Sequence, residues 1–444
     1  RQHGADLTAR GLAFVPVRDC FASVFEDGRW LGVSTSADET MARITAFSAE
    51  DAETWRRLVA GFAGELGHLG GLLGSPMKKR AVASILWKLW RERGAGGSLD
   101  MARFLAMTPR DWLTRTFRSP ELRAMLGAWG MHLDFAPDVA GGALFPYLEG
   151  MANQTFGMVL GAGGADTVIR ALVAAIEARG GAVVCNAPVR RILHEGGRAQ
   201  GIELADGRRI MARRAVIANC APSGLLRLTG PLEPGFDAAM AAFDHAPGTM
   251  MLHLALSDLP DWRAGAELRR FAYVHVAPSL DQMARTYAQA KAGMLPDEPV
   301  IVVGQPTAID ASRAPEGKHV LWLQVRMAPG TIRGDAAGRI SARDWQDAAG
   351  PFAERALDLV ERHAPGLRQR ILARHVMTPA DLEAANPNLV GGDQICGSHH
   401  LAQHFLFRPA RGRADGSTPL AGLHLTGAAV WPGAGTGAGP GYLL

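Results

Sequence analysis

The chain is 444 residues long, more than one hydrophobic core accommodates, so two domains are expected. Hydrophobic residues make up 48% and charged residues 20%, the mix of a folded globular protein rather than a disordered one. The net charge of +4 comes from scattered arginines, with no basic tract interleaved with aromatics, which argues against a nucleic-acid partner.

Residues 12–17, 21–25 and 30–34 are predicted as strands, the last two joined as a hairpin through Glu26-Asp27-Gly28. Helical spacing takes over from 48 to 135. Ser48 and Asp51 have the spacing of a capping box, and Leu58, Phe62, Leu66 and Leu69 follow at intervals of three and four. Further helices are predicted at 80–93, 98–106, 108–116 and 119–127. A second regime begins near Asn153. Gly161, Gly163 and Gly164 precede Asp166, read as the cap of a helix that runs to Arg179 and stops at Gly180 and Gly181. Strands are predicted at 182–186, 189–193, 201–204 and 209–218, the last delivering Asn219 and Cys220 to a loop. Strands at 250–256, 271–276, 300–303 and 319–326 and a helix at 351–363 follow. The final section holds Gly391-Gly392-Asp393, a predicted helix at 398–407, and a glycine-rich ending.

That ending is the most informative stretch. A short apolar strand, 423–426, runs into Gly427, and glycine then recurs at 433, 435, 437, 439 and 441. Glycine at this density lets the backbone come close to a ligand and take positive φ. Its N–H groups can then form a concave donor surface for a phosphate or a flavin edge. A flexible linker would have neither the Val430-Trp431-Pro432 insert nor the preceding strand. The cysteines Cys20, Cys185, Cys220 and Cys396 are too far apart for C-x-x-C spacing or a disulfide framework, which points to a cytoplasmic setting.

Taken in order, these pieces look like a family. The glycine loop with its helix (161–179), Asn186-Ala187-Pro188-Val189-Arg190-Arg191-Ile192, Ala218-Asn219-Cys220, Asn386-Pro387-Asn388 before Gly391-Gly392-Asp393, Phe407-Arg408-Pro409 and the glycine tail together resemble the phytoene-desaturase-related FAD oxidoreductases. These belong to the wider amine-oxidase and glutathione-reductase-like flavoprotein group. The resemblance spans nearly the whole chain and is most specific at 386–409 and 423–441. It implies an α/β fold of two interleaved domains. The FAD-binding domain would take 1–16, 151–228 and 385–444, and the substrate domain, of mixed sheet and helices, 17–150 and 229–384. Such proteins open on a strand, G-x-G-x-x-G and a helix that hold the FAD pyrophosphate. No G-x-G-x-x-G exists here, and both ends of the chain look cut, so that βαβ unit is expected to be missing from it.

By this resemblance, Val189 would offer backbone groups to the adenine, although a plain core valine would look the same in sequence. Gly427, with Ala428 after it, would lie near the pyrophosphate. Gly433, Gly435, Thr436 and Gly437 would line the pyrimidine side of the flavin. Asn219 either ends a strand near the cofactor or only caps its turn. Asp393 either orients substrate or acts as a base, or else makes a capping or turn bond. His400 and His404 stand four apart on the predicted 398–407 helix. They lack the H-E-x-x-H pattern and a third ligand, so no metal is expected, and His400 is the candidate proton acceptor instead.

The resemblance implies FAD-dependent dehydrogenation or desaturation of a largely apolar small molecule, with hydride passing from a C–C or C–N bond to the flavin. Only four tyrosines are present, which disfavours an aromatic-walled amine site and tilts the reading towards C–C chemistry. Residues 77–93 combine Leu86, Trp87, Leu89 and Trp90 with Lys78, Lys79, Arg80, Lys88 and Arg91. Such a basic amphipathic helix either lies peripherally on a membrane or packs its apolar face inside the substrate domain. Two alternatives stay open: an amine-oxidase-type enzyme, and a fragment unable to hold FAD.

Overall fold

The computed structural model describes residues 4–444; the first three residues of the expected 1–16 segment lie outside it. Its centre is a seven-stranded sheet. In spatial order the strands are Ile371–Met377, Gly248–Leu256, His319–Ala328, Val300–Gly304, Tyr273–Val276, Asp19–Val24 and Trp30–Ser34. All neighbours run antiparallel except Tyr273–Val276 beside Asp19–Val24. Val300–Gly304 is buried throughout, as a strand covered on both faces must be. Along His319–Ala328, Leu321, Leu323 and Val325 turn to the face packed by Phe352, Leu357 and Val360 of helix Trp345–His363. Phe21 and Val33 turn to the other face, which packs on a helical layer between residues 37 and 156.

That layer is tied down by side chains that satisfy backbone groups. Ser48 caps helix Ala49–Leu73 by accepting from Asp51 N. The capping box is not completed. The Asp51 carboxylate instead accepts from Arg118 N and Ser119 N, each at 2.7 Å, just ahead of helix Pro120–Gly130. Gln154 donates to Ser34 O at 3.0 Å and accepts from Trp55 Nε1 at 3.3 Å, which joins a helix, a strand end and a second helix.

Several predicted elements differ. The two helices at 80–93 and 98–106 form one element, Lys79–Ala106, broken at Gly94 where φ is 68°. Helix Asp166–Glu177 is preceded by Ala165 with no side-chain cap; Asp166 pairs with Arg170 one turn on. The helix predicted from 351 begins at Trp345, where Asp344 accepts from Asp347 N, and continues through Pro351. Residues 182–186 form no strand, and Val183 and Val184 are exposed. The stretch 209–218 divides. Arg209–Met211 completes an antiparallel three-stranded sheet with Val189–Glu195 and Arg198–Leu204. Val216–Asn219 then leaves it to pair in parallel with Leu423–Thr426. The predicted 398–407 helix is two 3-10 turns, Leu401–Gln403 and Phe405–Phe407. His404 is extended and Phe405 takes φ 51°, which no continuous right-handed helix allows.

Candidate functional site

The parallel pair Val216–Asn219 and Leu423–Thr426 delivers two strand ends side by side, Asn219 opposite Thr426. The carboxyl ends of parallel strands are where such folds bind ligands. Gly427 follows with φ 95°, and a Cβ there would overlap Asn219 Oδ1, so both backbone and space demand glycine. Thr426 Oγ1 is buried without a partner. Beyond it the chain makes successive tight turns. Val430 N donates to Gly427 O at 3.0 Å, Gly433 N to Val430 O at 2.8 Å, and Thr436 Oγ1 to Gly433 O at 2.7 Å. Gly433 also has φ 95°, and its missing side chain leaves room for His399 Nε2. The outer sides of Gly435 and Gly437 are open: a Cβ would meet only Leu133 at 4.0 Å in the first case and nothing in the second. The loop is therefore supported below and free above.

Its support is Arg408, fully buried with no carboxylate partner. The guanidinium donates to Ser398 O and Ala428 O at 2.7 Å, and to Cys396 O and Gly397 O at 3.2 Å. A rigid fork of donors spent on carbonyls joins residues 396–398 to the start of the glycine loop. Burial pulls the Arg408 pKa down to about 10, so it stays a cation beneath the loop. His399 is buried beside it with neither ring nitrogen hydrogen-bonded, and burial, then Arg408, holds it neutral.

Asp393 is buried on the adjoining loop. It accepts from Gly397 N at 2.6 Å, Ile395 N at 2.9 Å, Ala246 N at 3.1 Å and His245 Nδ1 at 3.2 Å. These bonds occupy the carboxylate and shape residues 393–397. His400 is half-buried, with Nε2 at 2.8 Å from Asp134 O, 3.1 Å from Asp134 Oδ2 and 3.2 Å from Tyr287 OH. It shares no helix face with His404. That ring is buried against His399 and Trp431, and burial, with Arg408, lowers its pKa to about 3. Val189 opens its strand half-exposed, on a cleft of about 460 Å³ shared with Ile217 and Asn219. Asn388 closes the rear of this region, accepting from Ala221 N at 2.9 Å.

The candidates thus gather at two ends of one region. Val189, Asn219 and Gly427 lie at the strand ends. Gly433, Gly435, Thr436 and Gly437 form the loop, with Ala428 between and Asp393 behind, and His400 follows His399, which lies under Gly433. An open glycine face over a buried cation, with a largely apolar cleft at the neighbouring strand end, fits a long flat cofactor such as FAD. Arg408, His399, Asn388, Asp134 and Tyr287 were not singled out as site residues. The Asn386-Pro387-Asn388 and Phe407-Arg408-Pro409 motifs carried a signal for two of them. Asp134 and Tyr287 carried none, because only tertiary packing brings them to His400.

The fold is that of a flavoprotein oxidoreductase. An oxidoreductase structure from Methanosarcina mazei superposes with a TM-score of 0.55 at 16% identity, covering 94% of this chain and 77% of the other. The flavin-containing amine oxidoreductase family model matches residues 32–323, and the chain belongs to that family. Its cofactor is FAD. A mouse pyridine nucleotide-disulfide oxidoreductase domain-containing protein 2 is 28% identical over 288 residues, which are 62% of this chain and 48% of the mouse protein. The chain therefore spans about half the length of that relative. A lycopene-forming phytoene desaturase from Pseudescherichia vulneris is 23% identical over 429 residues, 96% of this chain and 80% of the desaturase. The desaturase-related resemblance and the mixed α/β fold read from the sequence both hold. Among the described residues, no helix is long and apolar enough to cross a membrane.

Proposed function

We propose that this protein is a desaturase- or dehydrogenase-type oxidoreductase that removes a hydride and a proton from neighbouring atoms of a largely apolar small molecule. The carrying observation is the glycine loop, open above Gly435 and Gly437 and fixed below by Arg408 and His399. Gly433, Gly435, Thr436 and Gly437 would border the flavin, Gly427 and Ala428 the pyrophosphate, and Val189 and Asn219 the adenosine end. When bound, FAD supplies the two-electron acceptor. The chain's own groups orient it, keep water from the loop's underside and leave His400 beside the open face to receive a proton. Asp393 serves this arrangement by shaping the loop that carries Arg408's acceptors. Segments 1–16, 151–228 and 385–444 are assigned to the cofactor and 17–150 and 229–384 to the substrate.

The desaturase relatives favour C–C over C–N chemistry, as does the scarcity of tyrosine. The test is a visible spectrum of the purified chain after FAD is added and excess removed, followed by anaerobic bleaching with a conjugated polyene or a primary amine. Bleaching by the polyene supports the reading, and bleaching by the amine alone moves it to the amine-oxidase alternative. A chain that retains no flavin is the fragment unable to hold FAD.

The protein is further assigned to the cytoplasm, in peripheral contact with a membrane through residues 77–93. Helix Lys79–Ala106 turns Leu89 inward, but Trp87 is 62% exposed and Trp90 50%, their rings 5.1 Å apart. Lys88 and Arg91 flank them, the arrangement that suits an anionic surface. Flotation with anionic vesicles, lost in a Trp87→Ala, Trp90→Ala double variant, would support it; equal recovery of both proteins without lipid would not.

A further inference from the structure

Asp134 is fully buried, yet neither carboxylate oxygen makes an aligned hydrogen bond. Its backbone is left-handed, with φ 68°, a conformation that Asp tolerates better than most residues. Its carbonyl and its carboxylate both reach the same atom, His400 Nε2, at 2.8 and 3.1 Å. Tyr287 OH bounds that nitrogen on a third side at 3.2 Å, and the Phe135 ring lies 5.9 Å from the imidazole. A proton on Nε2 satisfies the Asp134 carbonyl and leaves the lone pair on Nδ1, which makes no hydrogen bond with any described residue. The position is next to the loop: Leu133 faces Gly435, and His399 lies under Gly433.

We propose that Asp134 is a positioning residue that holds His400 in its Nε2–H form and stabilises its imidazolium, so that Nδ1 takes the proton leaving the substrate. This rests on the oxidoreductase reading above. With FAD bound, the flavin would serve as acceptor for the hydride of one substrate atom. The C–H bond beside it breaks, its proton goes to Nδ1, and the electron pair left behind closes the new double bond. Burial raises the Asp134 pKa, opposed first by His400, then by the Ser398 hydroxyl beside it, and then by Lys291 and the Tyr287 hydroxyl. Lys291 stands 3.8 Å from Asp244, and Tyr287, raised by burial and by Asp134, stays a neutral hydroxyl. Neutral His399 completes the groups that face this ring.

The experiment is nitrogen-15 NMR of the histidine side chains in the full-length chain, with His400→Gln to assign the signal. In the wild type the proton is expected on Nε2. In Asp134→Asn, which keeps the carbonyl but removes the carboxylate, the single Nε2–H signal is expected to give way to a mixture with the Nδ1–H form. With flavin and substrate, kcat should fall in that variant while KM holds. A proton on Nδ1 in the wild type, or a single unchanged Nε2–H signal in Asp134→Asn, overturns the proposal. Should the Asn variant not fold, the wild-type tautomer alone decides. The NMR readout needs no flavin, so failure of the oxidoreductase reading appears separately, as a missing flavin spectrum.

Discussion

The seven-stranded sheet and the parallel pair Val216–Asn219 with Leu423–Thr426 are built from similar apolar residues and treat them oppositely. In the sheet, Val300, Ile301, Val302 and Val303 are all buried between two layers. At the parallel pair, Ile217 is 59% exposed, and Ile210 and Met211 on the adjoining sheet are exposed with it. Burial is the main stabilising term in folding, so the sheet is where this molecule keeps its stability. The parallel pair buries one flank through Leu423 and Leu425, and on the other presents strand ends, a cleft and a glycine loop. Ligand contact thus falls to a pair packed on one flank alone, with Arg408 and its carbonyl partners fixing the loop beyond it.

That contrast can be broken from its strong side first. Phe352 is fully buried between the sheet and its helix, and Phe352→Ala should destabilise the whole chain by about 3–5 kcal/mol. Equilibrium urea unfolding measures this, and a loss under 1 kcal/mol would mean that the sheet is not the stabilising centre. Arg408→Met comes next. It leaves the carbonyls of Cys396, Gly397, Ser398 and Ala428 without their donor, with an expected loss of roughly 3 kcal/mol. The effect should be local. Amide hydrogen exchange should speed up across 396–398 and 427–433 and not in Val300–Gly304. Uniform acceleration would show that the two regions open as one unit.

How far each region was legible follows from the range of its interactions. The hairpin predicted at 21–34, the strands predicted at 300–303 and 319–326, and the three-stranded sheet at 189–211 announced themselves through apolar, β-branched runs and, at 27–28, 196–197 and 206–207, Asp-Gly or Gly-Gly turns, signals carried within ten residues. The glycine loop was legible because its composition is its mechanism: Gly427 and Gly433 stand where a side chain would strike Asn219 or His399. The 3-10 turns at 401–407 were misread because His400, His404 and Phe407 keep helical spacing, while the positive φ of Phe405 that breaks the helix leaves no trace in composition. The split of 209–218 was hidden because both halves are apolar and extended, and only their partners differ. Asp134, Tyr287 and His400 lie more than a hundred residues apart, and no local pattern records that they meet.

The acid range separates the regions by charge. Burial alone would raise the Asp335 carboxyl, but paired bonds from Arg355 at 2.6 and 2.8 Å and the backbone N–H groups of Arg339 and Ile340 hold it down at about 2. A depressed carboxylate stabilises the fold above its unfolded pKa of about 3.9, and the contribution disappears as pH falls through the folded value. Between about pH 4 and pH 2 the chain should therefore lose roughly 2 kcal/mol through this group. Asp335→Asn should flatten that part of the stability–pH curve, and an unchanged slope would remove Asp335 as its cause.

The smallest expected effect on stability bears on the weak side of the comparison. Ile217→Lys puts a charge on the exposed flank, where no packed neighbour has to move, so unfolding free energy should change by less than about 0.5 kcal/mol. Its consequence should appear in the surface instead. An apolar patch made of Ile217, Ile210, Met211 and the half-exposed Val189 is large enough to bind a hydrophobic reporter dye, and a lysine in its middle should cut that fluorescence severalfold. The same substitution lies on the Val189 cleft, so retained FAD should fall with it while the unfolding curve stays in place. A fall in stability with unchanged dye binding would reverse the assignment, because Ile217 would then be part of a packed core. Loss of dye binding and of flavin together, with stability intact, would mark this flank as binding surface rather than structure.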